Sequence, residues 1–243
     1  MVSLLNKKNQ PHRTILLIRH GAAQFRDKKN WQEKADPLIE LSTTGHRHGF
    51  YLSLFMEHFL RQNQFKHVTI YNSPFRRCLQ TGAYLYHALR QANLDPRWIK
   101  DDRLTEQNFS FFRKMGLEKC RRLYPVETRL YEKTLQETGR FYARPPLGES
   151  RADLTERCID FVRDFHHQPD DLSVIVAHGT TNRALYMLFC HETVAWFEQE
   201  THKEHASVIR LELQKGDMYR DAGTIYQPAS FYLPFVDRSR ERD

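Results

Sequence analysis

Runs of consecutive aliphatic residues alternate along this chain with stretches of helical spacing, and the aliphatic runs stop at polar turns. Ile15-Leu16-Leu17-Ile18 is the first run. Four apolar residues in a row, two of them β-branched, predict a strand buried on both faces. Val68-Thr69-Ile70-Tyr71 and Leu172-Ser173-Val174-Ile175-Val176-Ala177 predict two more strands, and Trp98-Ile99 a short one. Between the first two strands, residues 22–40 read as a loop. Leu41-Ser42-Thr43 then offers an N-cap. From about 43 to 61, Tyr51, Phe55 and Phe59 recur at helical spacing with Leu54 beside them. A second helix is expected over about 74–91, with Pro74 well placed in its first turn. Further on, Ser150 and Asp153 read as a capping box. The helix behind them carries Leu154, Cys158, Phe161 and Phe165 on one face. A helix over about 181–189 follows. Residues 206–213 mostly alternate and predict a strand nearer the sheet edge, and 224–226 can add another.

Strands alternating with helices predict an α/β fold: a three-layer αβα sandwich around a mostly parallel central sheet. No internal repeat or linker divides the 243 residues, so a single domain over 1–243 is expected, with its core at about 14–213. Residues 107–147 are the long excursion. They cluster Phe109, Phe111 and Phe112 and predict short helices around 117–124 and 126–138, then an irregular stretch over 141–146. Such an insertion serves as a lid or specificity segment, or is a plain packed subdomain. The charged tail at 237–243 reads as disordered.

Composition narrows the class without naming a chemistry. Hydrophobic residues make up 40% and charged residues 28%, which is ordinary for a globular protein. No apolar run is long enough to cross a bilayer, and the polar start of the chain lacks a signal-peptide apolar core, so membrane insertion is not expected and a cytoplasmic setting is. Cys78, Cys120, Cys158 and Cys190 form no C-x-x-C pair, so neither a zinc site nor a redox dithiol is signalled. The +7 balance suits an anionic partner. Lys28, Lys29, Lys114, Lys119, Arg121 and Arg122 fall in loops expected to border the site, as steering charges or as solvated surface.

The candidate chemistry sits where strands end. The first strand runs into Arg19-His20-Gly21 and a later one into His178-Gly179, while Arg77 falls in the first turn of the helix after the second strand. Open α/β sheets place ligands at the carboxyl ends of their strands. His20, His178, Arg19 and Arg77 therefore converge with no cluster of carboxylates beside them. Adjacent arginines repel a metal cation but suit a phosphoryl group. His20 can attack phosphorus while Arg19, Arg77 and a protonated His178 hold the non-bridging oxygens. No P-loop pattern is present, and nucleic acid is not expected as a partner.

Taken together, these residues resemble the histidine phosphatase superfamily, in its phosphoglycerate-mutase-like branch. Arg19-His20-Gly21 is similar to its signature, Ser73-Pro74-x-x-Arg77-x-x-Gln80-Thr81 to its second motif, Gly148-Glu149-Ser150 to its third and Ala177-His178-Gly179 to its fourth. The resemblance implies that His20 is the nucleophile that becomes phosphohistidine. It also implies that Arg19, Arg77 and His178 form the phosphate pocket and that Glu106 is the proton donor. The other branch carries an aspartate after its second histidine; this chain has Gly179 there. Mutases follow the first motif with an acidic residue, a serine and an asparagine. This chain has Ala22 and Ala23, and further on Arg26; Ser110 stands where a glycine is frequent. The later motifs look more like the small broad-specificity phosphatases. The resemblance implies a metal-independent phosphomonoesterase acting on small phosphorylated metabolites without a cofactor. A cofactor-dependent phosphoglycerate mutase and a non-catalytic phospho-ligand binder are the alternatives. Oligomeric state is not legible.

Overall fold

Consecutive residues of a strand leave for opposite sides of the sheet, so an unbroken aliphatic run needs cover on both. The computed structural model, which describes residues 13–24, 35–110, 115–201 and 203–228, supplies that cover. Among the described residues, six strands form one mixed sheet: β1 (Thr14–Arg19), β2 (Val68–Asn72), β3 (Arg97–Lys100), β4 (Leu172–Ala177), β5 (Val208–Lys215) and β6 (Met218–Tyr226). Their order is β3-β2-β4-β1-β5-β6. The first four are parallel; β5 runs antiparallel to β1, and β6 to β5.

Leu16 and Ile18 of β1 and Val174 and Val176 of β4 join one core with α1 (Thr43–Gln62) and α2 (Arg76–Gln91). Ile15, Leu17, Ile175 and Ala177 join the other. That core is closed by α5 (Arg151–Phe165) and α6 (Gly179–Phe189), with Phe197 from α7 (Val194–Gln199). The expected three layers are present. Between them in the chain, α3 (Leu117–Leu123) and α4 (Pro125–Thr138) occupy the long excursion as two helices.

Local chemistry sets the helix starts. Ser42 accepts from the Gly45 amide at 3.0 Å, and Ser150 with Asp153 forms the full capping box. Three expectations shift. The buried face of α1 is centred on Leu52 and Met56 with Phe59; Tyr51 and Phe55 flank it, and Leu54 is exposed. Helix α6 begins at Gly179 rather than near 181. His178, extended at φ −117 and ψ 173, holds the N-cap position without a side-chain cap, and its carbonyl accepts from the Asn182 amide at 2.9 Å, so the first turn forms despite the weak helix preference of glycine and threonine. Strand β6 is longer than the expected 224–226; only Tyr219 and Tyr226 in it are buried, so little apolar pattern marks it in the sequence. Strand β5 is therefore one place in from the edge. The expected disordered tail lies outside the described residues, as do Arg26, Phe111 and Phe112.

At the opposite end of the sheet from the strand-end histidines, buried Asp170 accepts from the Thr69 and Tyr71 hydroxyls at 2.8 and 2.9 Å and from Arg97 at 3.2 Å. Removing its carboxylate strands two hydroxyls. We expect Asp170→Ala to cost about 3 kcal/mol in denaturant unfolding, with the ester-hydrolysis rate of the folded fraction unchanged.

Candidate active site

Strand pairing brings the two histidines together. Arg19 of β1 pairs with Ala177 of β4, so the next residue on each strand, His20 and His178, leaves the sheet at the same level. His20 N–H donates to the Ala177 carbonyl at 3.1 Å. The ring centroids lie 5.2 Å apart, close enough to share one phosphoryl group.

Arg77 lies between them. It follows the turn at Ser73-Pro74 and is almost fully buried in the first turn of α2. Its Nε donates to His20 Nε2 and its Nη2 to His178 Nδ1, both at 3.2 Å. The far side of the guanidinium is held by Asp36, which takes Nη1 on its carbonyl at 2.8 Å and on its carboxylate at 3.0 Å. These contacts define the tautomers. His20 Nδ1 faces the Gly21 carbonyl at 2.7 Å, and a carbonyl only accepts, so Nδ1 carries the proton and Nε2 the lone pair. His178 Nδ1 accepts from Arg77, so Nε2 carries the proton and donates to Ser73 Oγ at 2.8 Å.

Burial and the Arg77 cation hold His20 well below the usual imidazole range. For His178, burial is the first cause, followed by His20 and Arg77. These causes favour the neutral His178 ring when no anion lies beside Arg77. The Cys78 thiol, 3.5 Å from His178 Nε2, is pushed up to about 12 by burial, so it stays protonated and inert.

The other two expected residues flank this core. Arg19 reaches the Lys203 carbonyl at 2.5 Å, and its charge acts on both His20 and Glu106. Glu106 sits over the first turn of α6, accepting from the Thr180 amide and the Thr181 hydroxyl at 3.4 Å each. Among the basic residues, Arg121 is tied to Glu132 at 2.6 Å on the surface; Lys28, Lys29 and Lys114 lie outside the described residues.

With this geometry in place, comparison with known proteins decides the family. The profile of the histidine phosphatase superfamily (branch 1) matches residues 15–221. The chain belongs to the histidine phosphatase superfamily. A broad-range acid phosphatase of Saccharomyces cerevisiae is 32% identical over 130 residues, 48% of this chain and 35% of that protein. This chain thus spans about a third of that relative's length. A 2,3-bisphosphoglycerate-dependent phosphoglycerate mutase of Bartonella tribocorum is 26% identical over 180 residues, 72% of this chain and 80% of the mutase. The solved mycobacterial glucosyl-3-phosphoglycerate phosphatase superposes with a TM-score of 0.63 at 20% identity, covering 89% of this chain and all of that one, and so shares the fold.

Several residues that support this histidine phosphatase site carried no role in the sequence reading. Thr81 accepts from the Gly21 amide at 3.0 Å, and Gln80 from the Leu41 amide at 2.7 Å, which pins the turn after His20. Gly21 is needed there because a Cβ would come within 2.8 Å of the Gly45 carbonyl. Arg157 donates to the carbonyls of Arg103, Thr105 and Glu106 at 2.6, 2.8 and 3.2 Å and to Glu149 at 3.1 Å. Glu149 in turn accepts from the Asn108 amide at 2.9 Å. The third motif is thus a brace for the Glu106 loop. An arginine in mid-helix gives no sequence signal for such a role, whereas the motif around Glu149 did.

Two outcomes follow. Arg157→Ala should free the Glu106 loop and lower kcat about tenfold in an ester-hydrolysis assay while phosphate still binds. The second concerns acid. Both pocket histidines bind protons below pH 6.5 when unfolded but not when folded, so the unfolded state gains protons as pH falls and stability drops. We expect unfolding free energy to fall by about 2 kcal/mol between pH 7 and 5.5, measured by urea titration, with part of the loss recovered on adding phosphate.

Proposed function

We propose that this chain is a metal-independent phosphomonoesterase that works through phospho-His20 on small phosphorylated metabolites. The observation that carries this reading is the Nε–Nη2 edge of Arg77, which faces His20 Nε2 and His178 Nδ1 together. A phosphoryl group entering between them meets the lone pair of the nucleophile, a guanidinium edge and a second imidazole. Arg19 and Arg77 supply the positive charge that the equatorial oxygens need.

His20 Nε2 attacks phosphorus and the ester P–O bond breaks. Glu106, in its protonated form, gives its proton to the departing oxygen. Water then attacks phospho-His20, Glu106 takes up the proton, and phosphate leaves with the imidazole restored. In this reading His178 takes up a proton once the dianion offsets Arg77.

Hydrolysis is favoured over mutase transfer by Ala22 and Ala23. Transfer requires the small acid to be held for re-phosphorylation, and these side chains offer it no hydrogen bond. Supplied with 3-phosphoglycerate and catalytic 2,3-bisphosphoglycerate, the protein should release phosphate and form little 2-phosphoglycerate. Rapid 2-phosphoglycerate formation with little phosphate would make it a mutase. Phosphate binding without turnover of any ester would make it a binding module. Glu106→Gln should lower phosphate release by about 10²-fold or more and keep phosphate binding.

A further inference from the structure

One imidazole beside this pocket, that of His205, has no part in the proposed reaction. His205 lies between α7 and β5, where the chain must turn sharply to run antiparallel to β1. The turn is tied to the end of β1 on several sides. Arg19 Nη1 donates to the Lys203 carbonyl at 2.5 Å and the Arg19 amide to the Ser207 carbonyl at 3.3 Å. The Ala206 amide donates to the carbonyls of Arg19 and His20 at 2.9 and 3.2 Å. Ala206 is fully buried at φ +57, a left-handed conformation that costs a non-glycine residue about 1 kcal/mol or more. That conformation aims the preceding side chain at the nucleophile: the His205 and His20 ring centroids lie 5.4 Å apart at 55°.

The commitments of the three rings differ. His20 uses both nitrogens, on Gly21 and Arg77, and His178 uses both, on Arg77 and Ser73. No hydrogen bond to a described residue engages either nitrogen of His205, and its ring is half-buried, open on one side to solvent. The groups around it are cationic or basic: Arg19 and His20 from β1 and its end, Arg77 from α2, and His48 from α1. Glu204, the preceding residue on its own segment, acts on His48.

We propose that His205 is a further member of the phosphoryl pocket, donating a ring N–H to a non-bridging oxygen of the phosphoryl group bound at His20. The inference rests on the phosphomonoesterase reading of the pocket. A neutral imidazole has one N–H to give, so the contact needs no prior charge. Burial and the neighbouring Arg19 lower the ring's pKa to about 4. A bound dianion offsets those cations and favours the imidazolium, which strengthens the bond. The role differs from that of Arg77, which is fixed in place before the ligand arrives; His205 responds to it.

Inorganic phosphate and a chromogenic phosphate ester are the probes. We expect His205→Ala to raise the phosphate Kd and the ester KM about tenfold, and His205→Asn, which keeps an N–H donor, to recover most of the loss. In the wild type, the ¹⁵N ring signals of His205 should move on phosphate addition toward the protonated position and titrate at higher pH than in the empty protein. That measurement decides the matter if the alanine variant does not fold. A wild type that hydrolyses the ester while His205→Ala matches it in Kd and KM overturns this inference alone. So do His205 ring signals that stay unmoved at saturating phosphate. A wild type that neither binds phosphate nor turns over the ester overturns the pocket reading and this inference with it.

Discussion

The in-register pairing of β1 with β4 is the constraint on which the site depends. Ile18 faces Val176 and Arg19 faces Ala177, so both strands release a histidine at one level of the sheet. A slip of one residue would send every side chain of one strand to the opposite face. The pairing is held by burial on both sides: residues of the two strands alternate between two separate cores, each capped by a pair of helices. Register, and with it the 5.2 Å separation of the imidazoles, is thus set by packing well away from the chemistry.

Within that frame, electrostatics governs what the pocket can hold. Arg77 is buried, and its donors are spent on two imidazoles and on Asp36. Burial first, and the charge of Arg77 after it, lowers the pKa of both adjacent histidines. The result is a pocket with neutral acceptors facing a fixed cation. On the proposed reading, an entering phosphoryl group takes the place of the imidazoles as the partner of Arg77. Asp36 anchors the outer end of the guanidinium and leaves the inner edge to the ligand.

The loops around the pocket are held by side chains that reach their backbone. Arg157 and Glu149 brace the Glu106 turn, Thr81 and Gln80 brace the turn after His20, and the 203–207 turn is tied to the end of β1. Loops carry the function here, but rigid helices and strands supply the groups that position them.

Much of this was legible along the chain. The aliphatic runs located β1, β2 and β4, the caps at Ser42 and Ser150 located two helix starts, and the strand-end triplets named His20, His178 and Arg19. These features are local: periodicity, capping and turn chemistry act over a few residues. The partners that complete the site are not local. Asp36 meets Arg77 across 41 positions, and Arg157 meets the backbone of Thr105 across 52. His205 reaches His20 only because an alanine at φ +57 turns the chain back onto β1. No spacing rule encodes such meetings. The sequence by itself determined which strands are buried and where they end. Which side chains gather at those ends was decided by tertiary packing, because long-range contacts follow from how the elements stack and not from their order along the chain.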